Sequence, residues 1–387
     1  MLPRRPAREG AVHPTQAGRP GRTAALPHYP VLVPNPVRMS DLTTLRLGGP
    51  APDLITATSA EEIAEAVGTA DRAGTGVLVL GGGSNLVVAD EGIDVPIVRI
   101  GVPGIDIARD GADRGTAIVT GGAGEGWDDV VAELTGQGFA ELATLSGIPG
   151  STGATPVQNV GAYGTEMSEV LTAITVYDRK TAVIRRVKAQ ELNLAYRSSI
   201  LRGTDAAVVI DISLRLSNRP MTVRYAQLAR ALGVEAGGTA PPAAVREAVL
   251  ALRRAKGMVL DRDDPDTFSV GSFFTNPILD AAAADAAGEA IRSRLGAQTA
   301  YPSYPVAGTD DRKLSAAWLI ERAGFGKGYP GPGGRVAVSS KHTLALTNRG
   351  GSTADLMALA SEIRNGVRTA FGVTLDPEPL LIGVRLA

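Results

Sequence analysis

Three glycine clusters lie in the first half of the sequence, and their composition suits a phosphate-bearing ligand. They are Gly81–Gly83, which runs into Ser84 and Asn85, then Gly121–Gly126, and finally the stretch Gly147–Gly164. Backbone N–H groups that no side chain shields can converge on an anion. The last stretch holds five glycines in eighteen residues, where average usage of roughly 7% predicts one. Three such clusters together favour a long anionic cofactor over a set of ordinary turns.

These clusters match neither of the two common phosphate motifs. The P-loop pattern G-x-x-x-x-G-K-[ST] is absent, because Gly326-Lys327-Gly328 lacks both the hydroxyl residue and the spacing. The Rossmann pattern is absent too, since Gly81–Gly83 precedes the strand-like Leu86-Val87-Val88 and not a helix. FAD fits what remains: its diphosphate needs bare backbone, and its ring needs amide donors such as Gln158 and Asn159.

The composition excludes several kinds of site. The chain has no cysteine and three histidines, two of which (His13 and His28) lie near its start. Disulfides, thiolate metal ligands and cysteine–flavin links are therefore impossible, and a metal centre or a catalytic triad would depend on His342 alone. With 39 basic and 40 acidic residues, nothing indicates a nucleic-acid or membrane-surface protein. No apolar run approaches the ~20 residues that span a bilayer. We expect a cytoplasmic monomer that binds small molecules and no metal.

Periodicity and capping signals place the glycine clusters on a mixed α and β framework. The predicted strands are Val77–Leu80, Ile97–Ile100, Ala117–Thr120, Ala173–Tyr177, Ala206–Leu216 and Leu380–Leu386, of which the last could return to the first unit. One helix is predicted after a capping box at Ser59–Glu62; the others are Trp127–Leu134, Pro242–Ala255, Ala281–Leu295, Lys313–Ala323 and Thr353–Phe371, which Gly372 ends.

The two ends of the first unit are marked by composition. Residues 1–38 hold eight prolines, several arginines and one acid without apolar periodicity, so we expect a disordered tail and a folded protein that begins near Met39. No apolar segment follows Arg4-Arg5, so we expect no export signal. A shift near Asn218-Arg219-Pro220 predicts a second, α+β unit beyond it.

Several motifs in order resemble those of the UDP-N-acetylenolpyruvoylglucosamine reductase family, first subtype. The resemblance runs from about Leu42 to Ile382 and rests on Gly81–Asn85, Gly147–Gly150, Pro156–Gly164, Ala195–Ser199, Gly271–Pro277, Lys313–Gly324, Ser340–His342 and Leu375–Glu378. A single motif of this kind would be weak, whereas the ordered series is highly specific.

The resemblance implies a fold and a reaction. The fold is α+β: an FAD-binding domain of the vanillyl-alcohol-oxidase (PCMH) type at 39–219, with two α+β lobes, and an α+β substrate-binding domain at 220–374. Residues 375–387 then form a terminal strand that carries a catalytic glutamate. The reaction uses non-covalent FAD, with NADPH as cosubstrate, to reduce UDP-N-acetylglucosamine enolpyruvate to UDP-N-acetylmuramate for peptidoglycan.

Three catalytic residues are carried over from the family. Hydride addition at the β-carbon of the enol ether leaves negative charge over the α-carbon and its carboxylate, and catalysis comes from stabilising such charge. Arg197 matches the family's arginine and offers a planar fork to a carboxylate. Glu378 matches the family's glutamate and, if protonated, could donate a hydrogen bond to the enolate. Ser272 matches the family's proton donor.

The resemblance also implies the binding residues. We expect the cofactor to contact Gly81, Gly82, Gly83, Ser84, Asn85, Gly147, Gly150, Gly153, Gln158, Asn159, Gly161, Tyr163 and Gly164. The substrate is expected to contact Tyr225, Lys256 and Asn276, with Lys256 near the diphosphate. His342 could approach the flavin or be a packing histidine.

Two departures from the family pattern and two competing functions remain. Ala154-Thr155 replaces a more glycine-rich pair, and Leu380 stands where some relatives carry a basic residue. A flavin oxidase on the same fold would often tether flavin through His or Cys, and no histidine lies between His28 and His342. A non-catalytic flavin or nucleotide-sugar binding protein would not need three chemically competent residues at the catalytic positions.

Overall fold

A computed structural model of the chain describes residues 37–109 and 115–387. The predicted disordered tail lies outside the described residues except for its last two. Those two, Val37–Arg38, form a strand paired antiparallel with Pro50–Ala51. Met39, which follows, is fully buried. Among the described residues, regular structure is therefore already present two residues before the predicted start at Met39.

The helices of the described ranges are α1 (Met39–Leu42), α2 (Ala60–Ala73), α3 (Trp127–Gly136), α4 (Ala226–Leu232), α5 (Pro242–Arg254), α6 (Ala281–Leu295), α7 (Ala316–Arg322) and α8 (Thr353–Phe371). Short 3-10 turns lie at Ala143–Leu145, Thr152–Ala154, Met167–Glu169, Ala189–Leu192, Pro265–Thr267 and Pro332–Gly334. Within the described residues, no helix is both long and apolar enough to cross a membrane.

The strands up to the middle of the chain are β1 (Val37–Arg38), β2 (Pro50–Ala51), β3 (Leu54–Ala57), β4 (Leu78–Leu80), β5 (Leu86–Val88), β6 (Ile97–Ile100), β7 (Ile105–Arg109), β8 (Thr116–Gly122), β9 (Gly161–Ala162), β10 (Thr165–Glu166), β11 (Leu171–Asp178), β12 (Val183–Lys188) and β13 (Ala207–Ser217). Those that follow are β14 (Met221–Thr222), β15 (Thr239–Ala240), β16 (Ile278–Leu279), β17 (Ser303–Pro305), β18 (Arg312–Leu314), β19 (Val336–Val338), β20 (Leu346–Asn348) and β21 (Leu380–Ile382).

Two different sheets frame the glycine clusters. Near the start, β3, β6 and β4 pair in parallel, with β6 in the centre. Farther along, an antiparallel sheet runs in the order β12-β11-β13-β8-β7. Parallel strands need crossover connections, and α2 provides one between β3 and β4. The cluster Gly81–Gly83 thus follows a parallel strand, whereas Gly121–Gly122 belongs to an antiparallel one.

Helix α2 fills the space between the two sheets. Its buried residues include Ile63, Val67 and Ala70, spaced three and four apart. Ile63 and Val67 share one core with Val98 of β6 and Ile174 of β11, so a single apolar cluster spans both lobes. Ser59 caps the helix by accepting from the Glu62 N–H. The Glu62 carboxylate in turn accepts from the N–H and the hydroxyl of Thr58, one residue before the cap.

The later half of the chain has its own core. Helix α8 contributes residues spaced three and four apart, and α6, α7, β19 and β20 pack around it. The predicted bounds of α8 and its left-handed glycine cap at Gly372 agree with the structure. The same core includes Leu45 and Val87 from early in the chain. The predicted domain boundaries at 219 and 374 stay predictions.

Two element predictions were wrong in part. The segment predicted as one helix, Lys313–Ala323, begins as strand β18, and α7 starts only after Ser315, whose hydroxyl accepts from the Trp318 N–H. A serine that caps a helix must itself be extended, so the two preceding residues stay in the strand. The terminal strand is three residues long, β21, instead of the predicted Leu380–Leu386. It pairs parallel with β5, which confirms the return to the first unit.

Candidate active site

The loop Gly81–Asn85 connects β4 to β5, which pair with different neighbours. Gly83 adopts φ 64°, and a Cβ there would lie 1.8 Å from the carbonyl oxygen of Leu42, so only glycine fits. Ser84 donates to the carbonyl of Pro149 at 3.1 Å. This bond fixes the first glycine loop against the stretch Gly147–Gly164.

The second loop comes so close to the first that side chains are excluded. A Cβ on Gly82 would lie 2.6 Å from the Cα of Gly150. Gly150 has φ 115°, and its carbonyl accepts from the Trp127 N–H at 3.0 Å, at the start of α3. A Cβ on Gly153 would lie 2.4 Å from that of Ala123. Bare backbone therefore lines the junction of the two lobes.

This junction fits the cofactor that the glycine clusters predict. A cavity of about 430 Å³ opens beside Gly81 and Gly82, and Arg46, Arg99 and Arg262 are among its lining residues. Guanidinium groups and unshielded backbone suit a diphosphate. The hydroxyl of Thr152, in the second loop, is fully buried without a partner among the described residues. Residues at these loops would hold the FAD, with the diphosphate at the glycines.

Beyond the second loop, an arginine and a glutamate meet. Arg197 Nε lies 3.1 Å from Glu378 Oε1, and both side chains are about four-fifths buried. Arg197 Nη2 donates to the carbonyl of Gly161 at 2.8 Å, and Arg202 Nη1 donates to the Arg197 carbonyl at 3.0 Å. The backbone of Arg197 is left-handed, with φ 49°, which is unfavourable for a side chain of this type. Strain of this kind often accompanies functional sites.

Burial raises the pKa of Glu378 above its ordinary value, although the positive charges of Arg197 and Arg202 partly lower it. The backbone around Glu378 is held from both glycine loops. Its carbonyl accepts from the Gln158 amide at 3.1 Å and from the Asn85 amide at 3.5 Å. The glutamate therefore sits where the cofactor loops and the terminal strand meet.

Ser272 is tied to the same place through the backbone. The Glu378 N–H donates to the carbonyl of Phe273 at 2.9 Å, so the segments carrying Ser272 and Glu378 lie side by side. Gly271 adopts φ 74°, and Phe273 is fully buried beside the serine. Ser272 itself is half-buried. The three predicted catalytic residues thus belong to segments that meet around Glu378.

A second group of predicted residues lies around Tyr163. The rings of Tyr163 and Tyr225 meet edge to face at 5.6 Å between centroids. Lys256 Nζ lies 5.7 Å from the centroid of Tyr163 and donates to Gln227 Oε1 at 3.1 Å. Gly164 also lies beside Tyr225. Tyr163 and Gly164, predicted for the cofactor, therefore contact the predicted substrate residues.

Positive charge accumulates at this second group. Burial first, and then Arg253, lower the pKa of Lys256. Burial lowers the pKa of His342 to about 4, and the positive charges of Lys256, Lys327 and Arg253 add to that shift. His342 is thus neutral near pH 7 and lies among cations. An anionic ligand would relieve the mutual repulsion of these groups.

Two further predicted binding residues, Asn159 and Asn276, also have side chains that are hydrogen-bonded within the protein. Asn159 is fully buried, and its amide donates to Glu166 Oε2 and to the carbonyl of Ala195, while its oxygen accepts from Ser168 N–H. It holds the turn that presents Arg197, and its role at the cofactor stays a prediction. Asn276 Oδ1 accepts from the Ala316 N–H at 2.9 Å.

Sequence reasoning missed several residues of the site. Arg202 carries no motif signal, yet it holds the Arg197 carbonyl. Tyr196 lies beneath two cations, Arg197 and Lys313, at 5.2 and 4.6 Å from its ring centroid. Lys313 comes from a distant segment, and although Tyr196 lies within the motif Ala195–Ser199, that motif does not show that its ring meets two cations. In the described ranges, no group of three acidic or histidine side chains could hold a metal ion.

Comparisons with known proteins show what the chain is similar to. Two family models match: "UDP-N-acetylenolpyruvoylglucosamine reductase, C-terminal domain" over residues 264–382 and "FAD binding domain" over residues 52–187. The UDP-N-acetylenolpyruvoylglucosamine reductase of Saccharopolyspora erythraea is 56% identical over 348 residues, 89% of this chain and 94% of that protein. The enzyme of the same name from Salinispora arenicola is 50% identical over 90% of this chain and 95% of that protein.

A solved structure extends the comparison to the fold. The UDP-N-acetylenolpyruvylglucosamine reductase of Thermus caldophilus superposes with a TM-score of 0.58 at 22% identity, covering 91% of this chain and all of that one. At that identity the likeness concerns the fold alone. Together with the FAD-binding family match, it confirms the predicted α+β fold with an FAD-binding domain.

Proposed function

The chain belongs to the UDP-N-acetylenolpyruvoylglucosamine reductase family, and we propose that Arg197, Glu378 and Ser272 carry out its chemistry. The reaction converts UDP-N-acetylglucosamine enolpyruvate to UDP-N-acetylmuramate, a precursor of peptidoglycan, with NADPH as reductant. The predicted family, activity and cofactors are confirmed. Bound FAD supplies the hydride acceptor and donor that links NADPH to the enol ether. A cytoplasmic location and a monomeric state stay proposals.

The contact between Arg197 and Glu378 carries this proposal. The two residues come from distant segments and meet at 3.1 Å beside the cofactor loops. Arg197 binds the carboxylate of the enolpyruvyl group, whose negative charge grows when hydride reaches the β-carbon. Because Gly161 and Arg202 already hold this arginine, its fork is oriented before the substrate arrives. Such preorganisation lowers the cost of stabilising the developing charge.

Glu378 acts on the same carboxylate in its protonated form. Its burial favours the neutral acid, and a neutral carboxyl can donate a hydrogen bond to an enolate that a carboxylate would repel. The backbone hydrogen bonds from Gln158 and Asn85 hold Glu378 at the edge of the cofactor site. Binding of an anionic substrate next to it would favour protonation further.

Ser272 delivers the proton to the α-carbon. A serine hydroxyl is a weak acid in water, but an enolate is basic enough to accept its proton where water is excluded. The buried Phe273 and the adjacent Glu378 segment shield this side of the site. A general acid typically contributes ~10²–10⁴-fold to the rate.

Tyr225 and Lys256, with Tyr163, take the diphosphate end of the substrate. The lysine is partly buried beside the ring of Tyr163, which itself meets that of Tyr225, and burial and Arg253 both disfavour the lysine's charge. A diphosphate would supply the missing counter-charge. Before the substrate binds, Gln227 accepts a hydrogen bond from this lysine and holds it in place. Asn276 stays a proposed substrate contact near Tyr196 and Lys313.

Anaerobic stopped-flow absorbance tests the reaction. NADPH should bleach the oxidised flavin band, and UDP-N-acetylglucosamine enolpyruvate should then restore it rapidly. Dioxygen should restore it much more slowly. Fast reoxidation by dioxygen with none by the enolpyruvyl substrate would contradict the assignment and favour an oxidase. Absence of bleaching by NADPH would favour a binding protein without catalysis.

A further inference from the structure

A carboxylate outside the proposed catalytic group joins three parts of the molecule. Asp128, in the first turn of α3, accepts from the Gly147 N–H at 2.6 Å through Oδ1. The same carboxylate binds both terminal nitrogens of Arg246 on α5, at 2.5 and 3.0 Å. This is a two-point contact between planar groups, the geometry that gives ion pairs their best-defined orientation.

Burial would disfavour the charge of Asp128, but the hydrogen bonds from Arg246 and Gly147 outweigh it and lower its pKa. The Arg246 side chain is 18% exposed and that of Asp128 34%. The pair is therefore better shielded than a typical surface salt bridge, which contributes little.

Helix α5 packs directly on Gly147, the first residue of the second glycine loop, Gly147–Gly164. Gly147 has φ 71°, and a Cβ there would lie 2.9 Å from Leu250 and 3.0 Å from Val259. Arg253 Nε would lie 3.3 Å from that Cβ, and the residue's guanidinium donates to the Met258 carbonyl at 2.8 Å. The helix and the loop that follows it therefore pack so tightly against Gly147 that no side chain would fit there.

The far end of α5 carries Arg253 and leads to Lys256, the cation of the proposed diphosphate site. Arg253 lies in its last turn, and Lys256 follows the helix by two residues. Arg246 is seven residues before Arg253, two helical turns along the same side of α5. A rotation or shift of α5 would therefore move Arg253 and Lys256 relative to Tyr163, which belongs to the second glycine loop.

We propose that the Asp128–Arg246 pair is a positioning device that sets Lys256, the proposed diphosphate-binding cation, and the neighbouring Arg253 against the second glycine loop, Gly147–Gly164. Neither residue touches the reacting atoms. The pair fixes the orientation of α5, and α5 in turn fixes Arg253 and Lys256. This inference rests on the proposed binding of the substrate diphosphate at Lys256.

Arg246→Met and Asp128→Asn test the device in the FAD-loaded enzyme. The asparagine amide would keep an oxygen for the Gly147 N–H but lose the ion pair, so the cofactor loop should stay intact. We expect each change to raise KM for UDP-N-acetylglucosamine enolpyruvate about tenfold while kcat stays within about twofold. The double variant should be no more than about twofold worse than either single one, because the two residues act as a unit.

Two further measurements separate positioning from a general loss of stability. UDP binding to the oxidised holoenzyme, followed by calorimetry, should weaken by a similar factor, and the ratio of flavin to protein after gel filtration should not change. The KM and the UDP affinity of Arg246→Lys should lie between those of the wild type and of Arg246→Met. Lysine keeps the positive charge but cannot make the two-point contact of a guanidinium group.

Arg179→Met is the matched control. Arg179 makes the same kind of two-point contact with Asp71 of α2, and its side chain is 10% exposed. The Arg179→Met substitution should lower the unfolding temperature without changing KM or UDP affinity.

Unchanged KM and UDP affinity in Arg246→Met, or an effect equal to that of the control, would overturn the proposal. If the wild-type enzyme did not turn over the enolpyruvyl substrate, the proposed function would be refuted. The measurement of UDP binding would still test the positioning role in that case.

Discussion

Ser272 and Glu378 illustrate how far residue types can be read from a sequence. Both lie in short motifs that predict their chemistry through family resemblance, and the structure brings their segments together through the Phe273 carbonyl. Asn159 stands in an equally clear motif, yet its side chain holds the backbone of Ala195 and the carboxylate of Glu166. A motif shows that a residue type is needed, but hydrogen-bond partners far along the chain decide what it contacts.

Ser272→Ala should separate the two half-reactions. Flavin reduction by NADPH needs no proton from the serine, so its rate should be unchanged. Reoxidation by the enolpyruvyl substrate should slow by at least ~10²-fold, the lower end for a lost general acid. Single-turnover stopped-flow absorbance measures both rates. Ser293→Ala, at an exposed position of α6, serves as the control and should change neither; equal turnover in the two variants would remove Ser272 from the mechanism.

At the scale of elements, a helix with a periodic apolar pattern was predicted well, whereas a polar strand at a sheet edge was not. Helix α8 shows strict apolar spacing and matches its predicted bounds. Strand β12 escaped prediction because it lies at the edge of its sheet, and five of its six residues are exposed. Its sequence, with Arg185-Arg186 in the middle, therefore carries no alternation of apolar and polar residues. Edge position is a property of the assembled sheet and leaves little trace in sequence.

Gly82→Ala should test the closeness of the two cofactor loops. The new methyl group would meet the backbone of Gly150 at 2.6 Å, and backbone cannot move aside as a side chain can. We expect a loss of about 1–3 kcal/mol in stability, as for other overpacked sites, and at least about tenfold weaker FAD binding. Flavin fluorescence during titration of the apoprotein measures the affinity.

Gly136→Ala is the paired control for this substitution. Gly136 ends α3 and a Cβ there meets nothing within 4 Å, so alanine should be neutral or stabilise by up to about 1 kcal/mol. An FAD affinity in Gly82→Ala equal to that of the control would show that the loops can separate without cost.

At the scale of the whole molecule, the early and late parts of the chain are bound together by contacts that no local pattern predicts. The early residues Leu45 and Val87 lie in the core built around α8. The carboxylate of Asp90 accepts from the first N–H groups of that helix, Thr353 and Ala354, at 2.8 and 2.9 Å. These contacts arise because the chain folds back on itself, which spacing in sequence does not encode.

Asn348→Ala should weaken this connection. The buried amide donates to the carbonyls of Leu45 and Arg46, and its oxygen accepts from the N–H groups of Gly350 and Gly351. Alanine would leave these buried groups without partners, at a cost of about 2–3 kcal/mol. Thermal unfolding, with flavin release followed in parallel, should shift to lower temperature. Gln298→Ala, an exposed amide, should have almost no effect; an equal shift in both would contradict a special role for Asn348.

The pairing of β21 with β5 has a consequence for how the protein is made. Asn85 and Glu378 are 293 positions apart, and the two strands beside them cannot join until the ribosome has delivered both. At 5–20 residues per second, translation of that interval takes roughly 15–60 s. During this time β5, whose one strand partner among the described residues is β21, would present unpaired N–H and C=O groups next to the loop Gly81–Asn85. Such an edge can pair with other chains, so the interval is when a molecular chaperone would be of most use to this protein.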